Sequence, residues 1–218
     1  MSKQAQLVVD AIVSQIDAGL ILPGEQVSEK ALMAQIGVSR TPVREALIRL
    51  EAEGLIQRHA RKGAVLFKPD VAEFLTILEV HSSLESHAAE LAAQRITPDM
   101  ADRLRDTVAA CKDHVEKSGV ADYAEYYTLN IRFHGTIARA SGNAVLADLI
   151  RLNARKLMGY YRMRYRAPGN SAKSCSEHSV ICDHIVSNRP QEARLAMLEH
   201  FNYDRFTITD LIAALGQE

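Results

Sequence analysis

Three histidines and one asparagine in the second half of the chain have the residue types and the spacing of a metal site. Asn130 and His134 lie one helical turn apart on a face that otherwise carries apolar side chains, and His178 and His200 each share such a face further along. A buried polar group without a partner costs about 1 to 3 kcal/mol. Neutral imidazoles that converge with a side-chain oxygen can share one divalent ion. The alternative is a set of hydrogen-bonded core histidines.

A second group of side chains, near the start of the chain, suits contact with nucleic acid. Ser39 can cap a helix, Pro42 fits its first turn, and apolar residues at helical spacing turn one face inward. Arg40, Thr41 and Arg44 are left on other faces near the front of that helix. A guanidinium can bond guanine in the major groove or clamp a phosphate, so this pattern predicts a recognition helix.

The alternative for these arginines is an ordinary solvated helix face. In that case Arg44 or Arg49 pairs with Glu45 or Glu53. The flanking sequence favours DNA contact, because Gly54 is followed by LIQRHARKGAVLF, which alternates weakly and contains no acidic residue. A two-stranded wing with Arg61, Lys62 and Gly63 at its tip suits contact with the sugar-phosphate backbone.

Two further helices precede the recognition helix. The first is predicted from about Lys3 to Ala18, with Leu7, Ala11, Ile12 and Ile16 turned inward. Ser28 starts a short second helix, and Gly37 makes the tight corner into the third. Three helices and a hairpin form a winged helix-turn-helix, which we place at residues 1–69.

Helical periodicity takes over for the rest of the chain, residues 70–218. Glycine and proline positions divide it into six predicted helices, approximately 71–94, 97–118, 121–140, 143–166, 173–187 and 190–214. The fold class is therefore mainly α, with an N-terminal winged helix-turn-helix domain and a C-terminal all-helical antiparallel bundle.

Composition agrees with two domains and with nucleic-acid binding. The first 68 residues carry nine Lys plus Arg against seven Asp plus Glu, although the whole chain has a net charge of -1. Cys111, Cys175 and Cys182 have no metal-finger spacing, so packing is the favoured role. Without a leader or membrane-length apolar run, we expect the cytoplasm and no membrane partner.

The stretch ILPGEQVSEKALMAQIGVSRTPVREALIRLEAEGLI resembles the N-terminal domain of GntR-family bacterial transcription regulators. This resemblance covers about the first 68 residues. It implies DNA contacts from residues in the second helix, the recognition helix and the wing tip, namely Lys30, Ser39, Arg40, Arg44, Arg61, Lys62 and Gly63, beside which Thr41 is a further candidate from its position.

The runs NIRFHGTIARASGN, SEHSVICDHI and MLEHF resemble the FadR-type C-terminal domain (FCD) of one GntR branch, and six helices suggest its VanR-like type. The resemblance implies metal ligands at Asn130, His134, His178 and His200. We expect one divalent ion of the Zn, Ni or Mn class per chain. The first ligand is commonly aspartate, and an amide is a weaker ligand oxygen.

The resemblance also implies a small-molecule effector. Open positions on the ion can take a carboxylate or water. Many relatives have an arginine in the first helix of this domain to receive an effector carboxylate, but here the aligned residue is His81. His81, Arg155 and Tyr161 are the candidate effector residues. His87, His114 and His184 lack any partner pattern and are set aside.

These features together predict a homodimeric transcription regulator, a repressor, on a near-palindromic double-stranded operator. Effector binding would change the spacing of the two recognition helices through a short linker. The alternative is a helical metalloenzyme with an accessory DNA-binding module. It needs a general base, but Glu177 is predicted to point off the histidine face and no other carboxylate has a useful spacing. We therefore predict that the chain is not an enzyme.

Overall fold

A computed structural model of the protein describes residues 1–118 and 123–202. The chain divides into two compact units, residues 1–70 and 71–218. Both units are helical, with one small sheet in the first. This confirms the predicted fold class.

The first unit begins with three helices, α1 (Lys3–Asp17), α2 (Glu29–Ile36) and α3 (Arg40–Ala52). The Ser28 hydroxyl caps α2 by accepting from the Ala31 amide at 3.2 Å. Gly37 ends α2 in the left-handed region at φ 73°, which turns the chain sharply into α3. Ser39 is the N-cap of α3, but its side chain accepts no capping bond, so that detail of the prediction is wrong.

A two-stranded antiparallel sheet follows, with β1 (Ile56–His59) paired to β2 (Gly63–Leu66). His59 faces Gly63 in the register, so Ala60, Arg61 and Lys62 form the turn at the tip. Gly63 has φ 71°, a conformation that suits glycine at the end of a three-residue hairpin turn. We call the hairpin of residues 56–66 the wing.

The core of the first unit corrects one predicted helix face. Ala5, Val8, Val9, Ile12 and Ile16 are the buried residues of α1, whereas Leu7 is 57% exposed. The buried set repeats every three or four residues, and Leu7 lies about 160° away from Ala5 and Val9 around the helix. The predicted inward position of Leu7 is therefore wrong.

The second unit is a bundle of six helices in the described residues. They are α4 (Val71–Arg95), α5 (Pro98–Ser118), α6 (Tyr123–Ala140), α7 (Ala144–Arg164), α8 (Asn170–Val186) and α9 (Pro190–His200). α4 is central, since it packs against α6, α7, α8 and α9, while α5 covers α6 and α8. Side chains on α4, α6, α8 and α9 can therefore meet.

Two helix ends differ from the prediction. α8 begins three residues earlier than expected, directly after Gly169, which has φ 83°. α9 ends at His200 rather than at 214, because the amides of Phe201 and Asn202 donate to the carbonyls of Leu198 and Glu199 in tighter turns. The predicted helical residues 121–122 and 203–214 lie outside the described residues.

Candidate functional site: a basic helix and wing, and a histidine cluster

All eight predicted DNA-contacting residues are exposed in the first unit. α3 is held by its apolar side, where Val43, Ala46, Leu47 and Leu50 are completely buried. Burial of such side chains contributes about 1.5 to 3 kcal/mol for each large one, so the orientation of α3 is well fixed. Arg40 and Arg44 therefore project from a rigid helix.

The arginines of α3 and the wing divide into paired and free side chains. Arg49 donates to Glu53 at 2.8 Å and Arg58 donates to Glu51 at 2.8 Å. Within residues 1–118 and 123–202, Arg40 and Arg44 form no hydrogen bond or ion pair. The ordinary-surface alternative thus describes Arg49 but not Arg44, and Arg40 and Arg44 remain available to an outside partner.

The wing tip carries the remaining predicted contacts. Arg61 and Lys62 are exposed in the turn, and Gly63 follows them at the start of β2. An isolated bridge between Gln26 and Val65 attaches the segment before α2 to the wing. The tip therefore presents two cations on a braced hairpin, as backbone-binding wings require.

Three of the four predicted metal ligands converge in the second unit. His134 of α6, His178 of α8 and His200 of α9 are all buried, and one possible ligand atom from each lies within 4.8 Å of the others. Their ring centroids are 4.9 to 5.3 Å apart. Nitrogens this close can bind one ion at the usual metal-to-nitrogen distances. We call these three residues the histidine cluster.

Two carboxylates accompany the histidine cluster, and sequence reasoning missed both. Glu85 of α4 is 1% exposed, and its Oε2 atom lies 3.3 Å from His134 Nδ1. Glu177 of α8 reaches across to α9, where its Oε2 atom is 2.7 Å from His200 Nδ1. The expectation that no useful carboxylate accompanies the cluster is therefore wrong.

The pKa values of His178, His200 and the two carboxylates agree with neutral rings beside ionised carboxylates. Burial lowers the pKa of His200 to about 4 and that of His178 well below its ordinary value. Burial acts to raise the pKa of Glu85 and Glu177, but the neighbouring histidine rings outweigh it, so both values fall. Neutral imidazole is the form that binds a metal.

A hydrogen-bonded chain surrounds Asn130, the fourth predicted ligand. The hydroxyl of Tyr165 donates to Asn130 Oδ1 at 2.8 Å, and Tyr165 also lies 3.4 Å from the Ser174 hydroxyl. Ser174 Oγ is in turn 3.4 Å from His178 Nε2. An amide oxygen has two lone pairs, so the bond from Tyr165 leaves one for a further contact.

The donor set fits a metal ion. His134 and His200 each turn Nδ1 toward a carboxylate, which leaves Nε2 as the nitrogen for a metal. Several buried atoms at the site lack hydrogen-bond partners, among them Nδ1 of His178 and of His134, whose 3.3 Å approach to Glu85 is not aligned as a hydrogen bond. Buried polar atoms are rarely left unsatisfied.

A pocket of about 300 Å³, including its mouth, opens beside the histidine cluster. His81 and Tyr161, two of the three predicted effector residues, line it, whereas Arg155 does not. The lining is completed by polar and apolar residues from α4, α6, α7 and the end of α9, namely Glu85, Asn130, Ile131, His134, Ala154, Arg164, Tyr165, His200 and Phe201.

Arg164 and Phe201 are lining residues that the sequence did not identify. Arg164 is 8% exposed, so the pocket contains a buried cation. Phe201 places its ring 5.3 Å from those of His81 and His200 and 5.5 Å from that of His134. Glu85 could have been found, because it lies four residues after His81 on the buried stripe of α4.

The cysteines are packing residues in this structure. Burial raises the pKa of the Cys111 thiol to about 12 and that of Cys182 to about 11. All three cysteines are buried and unpaired. Among the described residues, no helix is both long enough and apolar enough to cross a membrane.

Two family models match the chain. Residues 4–66 match "Bacterial regulatory proteins, gntR family", and residues 76–203 match "FCD domain". The second match covers the bundle that holds the histidine cluster and the pocket. The first covers the helices and the wing that carry the exposed arginines.

Relatives and solved structures agree with these matches. The chain is 27% identical over 191 residues to the uncharacterized HTH-type transcriptional regulator YdhC of Bacillus subtilis, covering 85% of this chain and 82% of that one. It is 29% identical over 200 residues to a probable D-xylose utilization operon transcriptional repressor of Paenarthrobacter nicotinovorans, covering 90% and 84%.

The fold matches E. coli McbR/YncC with a TM-score of 0.78 over 100% of this chain and 99% of that one, at 21% identity. The relatives are transcription regulators and not enzymes, so the regulator interpretation is confirmed over the metalloenzyme alternative. The chain belongs to the gntR family of bacterial regulatory proteins and carries an FCD domain, and it is a DNA-binding transcription regulator.

Proposed function

We propose that the protein is a homodimeric repressor of the bacterial cytoplasm whose bundle binds one divalent transition metal and a small effector to control operator binding. The observation that carries the proposal is the histidine cluster with its two carboxylates. This arrangement lies beside a pocket in an FCD domain.

The DNA-reading part of the proposal uses the free side chains of α3 and the wing. Arg40, Thr41 and Arg44 would face base edges, while Arg61 and Lys62 would contact phosphates. A dimer would place two recognition helices about 34 Å apart, on a near-palindromic operator. Selection of bound duplexes from a randomised pool would give the operator, and sedimentation would give the oligomeric state.

The wing has its own test. The variant Lys62→Ala should weaken binding to all sequences about equally and reduce the slope of log affinity against log salt by about one. Arg49→Ala is the control, because Arg49 is already engaged by Glu53 and Gln6. An unchanged salt slope in Lys62→Ala would contradict the proposed phosphate contact.

His134, His178 and His200 would hold the metal, with Asn130 as the proposed fourth ligand. A bound ion of the Zn, Ni or Mn class would supply a positive charge that attracts an effector oxygen. Elemental analysis of the purified protein should give about one metal per chain. The double variant His134→Ala, His178→Ala should lose it. His87→Ala, at an exposed position, should keep it.

The effector would bind in the pocket between His81, Tyr161 and the histidine cluster. The effector would bind more tightly to one spacing of the two recognition helices than to another. This difference would change the free energy of operator binding by about 1 to 3 kcal/mol. Titration of small carboxylates against an operator complex at fixed salt measures this coupling. Saturation of the pocket without any change in operator affinity would contradict effector control and would leave the DNA assignment intact.

A further inference from the structure

Glu85 is the feature of the pocket that the proposed metal and effector do not explain. A plain organic anion is disfavoured beside a buried carboxylate, because like charges repel strongly where water is excluded. Glu85 is 1% exposed and lines the pocket, and its Oε2 atom has no hydrogen bond to the described residues. Glu85 therefore gives the α4 side of the pocket a hydrogen-bond acceptor and no donor.

His81 adds a second acceptor to the same wall. It lies one helical turn before Glu85, and its Nε2 atom is 3.6 Å from Glu85 Oε1. Its Nδ1 atom is buried and has no hydrogen-bond partner among residues 1–118 and 123–202. Because burial holds the pKa of His81 near 4, the ring is neutral at ordinary pH. A neutral ring that turns its Nε2–H toward Glu85 presents Nδ1 as an acceptor.

The opposite wall carries the opposite charge. Arg164 of α7 lines the pocket and is 8% exposed. Its guanidinium is close enough to the histidine cluster to lower the pKa of His178 and His200, although burial is the larger cause in both. The pocket thus has a cation on α7 and a carboxylate on α4.

We propose that Glu85 and His81 select an effector that carries a hydrogen-bond-donating group, an ammonium or a hydroxyl, on the same small skeleton as its carboxylate. The carboxylate lies toward Arg164 and the histidine cluster, and the donor lies toward Glu85. The proposal rests on the proposed effector function of this pocket. It assigns to Glu85 a role in specificity beyond orienting His134.

A matched set of ligands tests this inference. Propionate, lactate and alanine have the same three-carbon acid skeleton and differ in carrying hydrogen, hydroxyl or ammonium next to the carboxylate. Calorimetric titration of the purified full-length protein should show alanine or lactate binding at least about tenfold tighter than propionate. Preference for alanine identifies the ammonium, and preference for lactate identifies the hydroxyl.

Two matched variants separate selection from positioning. Glu85→Gln and Glu177→Gln both remove a carboxylate that faces a cluster histidine, but Glu177 is not a lining residue of the pocket. Selection by Glu85 predicts that only Glu85→Gln brings the affinity of the preferred ligand to within about threefold of propionate. If Glu85 only orients His134, both variants weaken all three ligands by the same factor.

Several outcomes would overturn the inference. They are equal or tighter binding of propionate, an unchanged ligand ratio in Glu85→Gln, and no binding of any of the three acids. If circular dichroism shows that Glu85→Gln is unfolded, Glu85→Asp replaces it, because aspartate keeps the charge but withdraws the carboxylate from the pocket. Glu85→Asp must then reduce the ratio of the preferred ligand's affinity to that of propionate. Failure of the proposed effector function would give a different result: no pocket ligand would change the affinity for the operator.

Discussion

The carboxylate of Glu85 on α4 faces the Nδ1 atom of His134 on α6 at 3.3 Å, and Glu177 on α8 repeats this relationship with His200 on α9 at 2.7 Å. Two of the three cluster histidines are therefore oriented by a carboxylate from a different helix. Such outer partners fix the tautomer and raise the basicity of the ligating nitrogen.

Loss of the Glu177 carboxylate should weaken metal binding without unfolding the bundle. Glu177 is half-buried and its bond to His200 is short, so Glu177→Gln is expected to lower metal affinity by about 10- to 100-fold. Competition with a chromophoric chelator measures the change. Glu192→Gln, on the exposed side of α9, is the control and should bind as the wild type does.

Asn130→Asp tests whether Asn130 is the fourth ligand. The Tyr165 hydroxyl can still donate to the new carboxylate, so the geometry should be preserved. If residue 130 ligates the ion, the added negative charge should tighten binding by at least about tenfold, and Asn130→Ala should weaken it. Identical affinities in both variants would remove residue 130 from the ligand set.

Arg40→Ala and Arg44→Ala should each cost about 1 to 3 kcal/mol in operator binding if the arginine reads a base. Neither side chain supports the fold through a hydrogen bond in the described residues, so thermal stability should hardly change. Fluorescence anisotropy at fixed salt gives the binding energies, with Arg49→Ala as the control. Wild-type binding in both variants would show that α3 is not the recognition helix.

Acid should destabilise the metal-free protein. Burial lowers the pKa of His81 and of His200 from 6.5 to about 4, so the folded state keeps these rings neutral. The neutral rings contribute fully to the free energy of unfolding above the ordinary pKa of 6.5. This stabilisation is lost as the pH falls from 6.5 toward 4. Each ring should lower the free energy of unfolding by on the order of 2 kcal/mol between about pH 7 and pH 5.

Urea denaturation of chelator-treated protein measures this pH dependence. His81→Gln should flatten the slope, because one titrating ring is removed while a polar side chain remains in the pocket. A free energy of unfolding that is constant over this pH range would show that His81 and His200 keep their ordinary pKa in the folded protein.

Periodicity was a good guide wherever a single helix face decides burial. Val43, Ala46, Leu47 and Leu50 were found because they repeat along one helix, and the same argument brought His134 to the inside of α6. Leu7 shows the limit of the argument, since an apolar residue one position off the buried stripe looks much like its neighbours.

The second half of the site depends on contacts between helices, which no local pattern contains. Glu85 falls on the buried stripe of α4, but the ring of His134 that its carboxylate faces comes from α6. Glu177 points off the face of His178, as expected, but α9 lies there and supplies His200. Arg164 is one of several arginines close together in the sequence, and it is more buried than Arg162 and Arg166 beside it.

The ion pair between Arg58 on β1 and Glu51 joins the wing to α3, and at the base of the wing the amide of Phe67 donates to the Leu55 carbonyl at 2.9 Å. These contacts hold α3 and the wing in a fixed arrangement within the first unit. The stretch of duplex that each protomer covers should consequently have a constant length, so natural operators for this regulator should vary in the gap between their half-sites and not in the half-sites themselves.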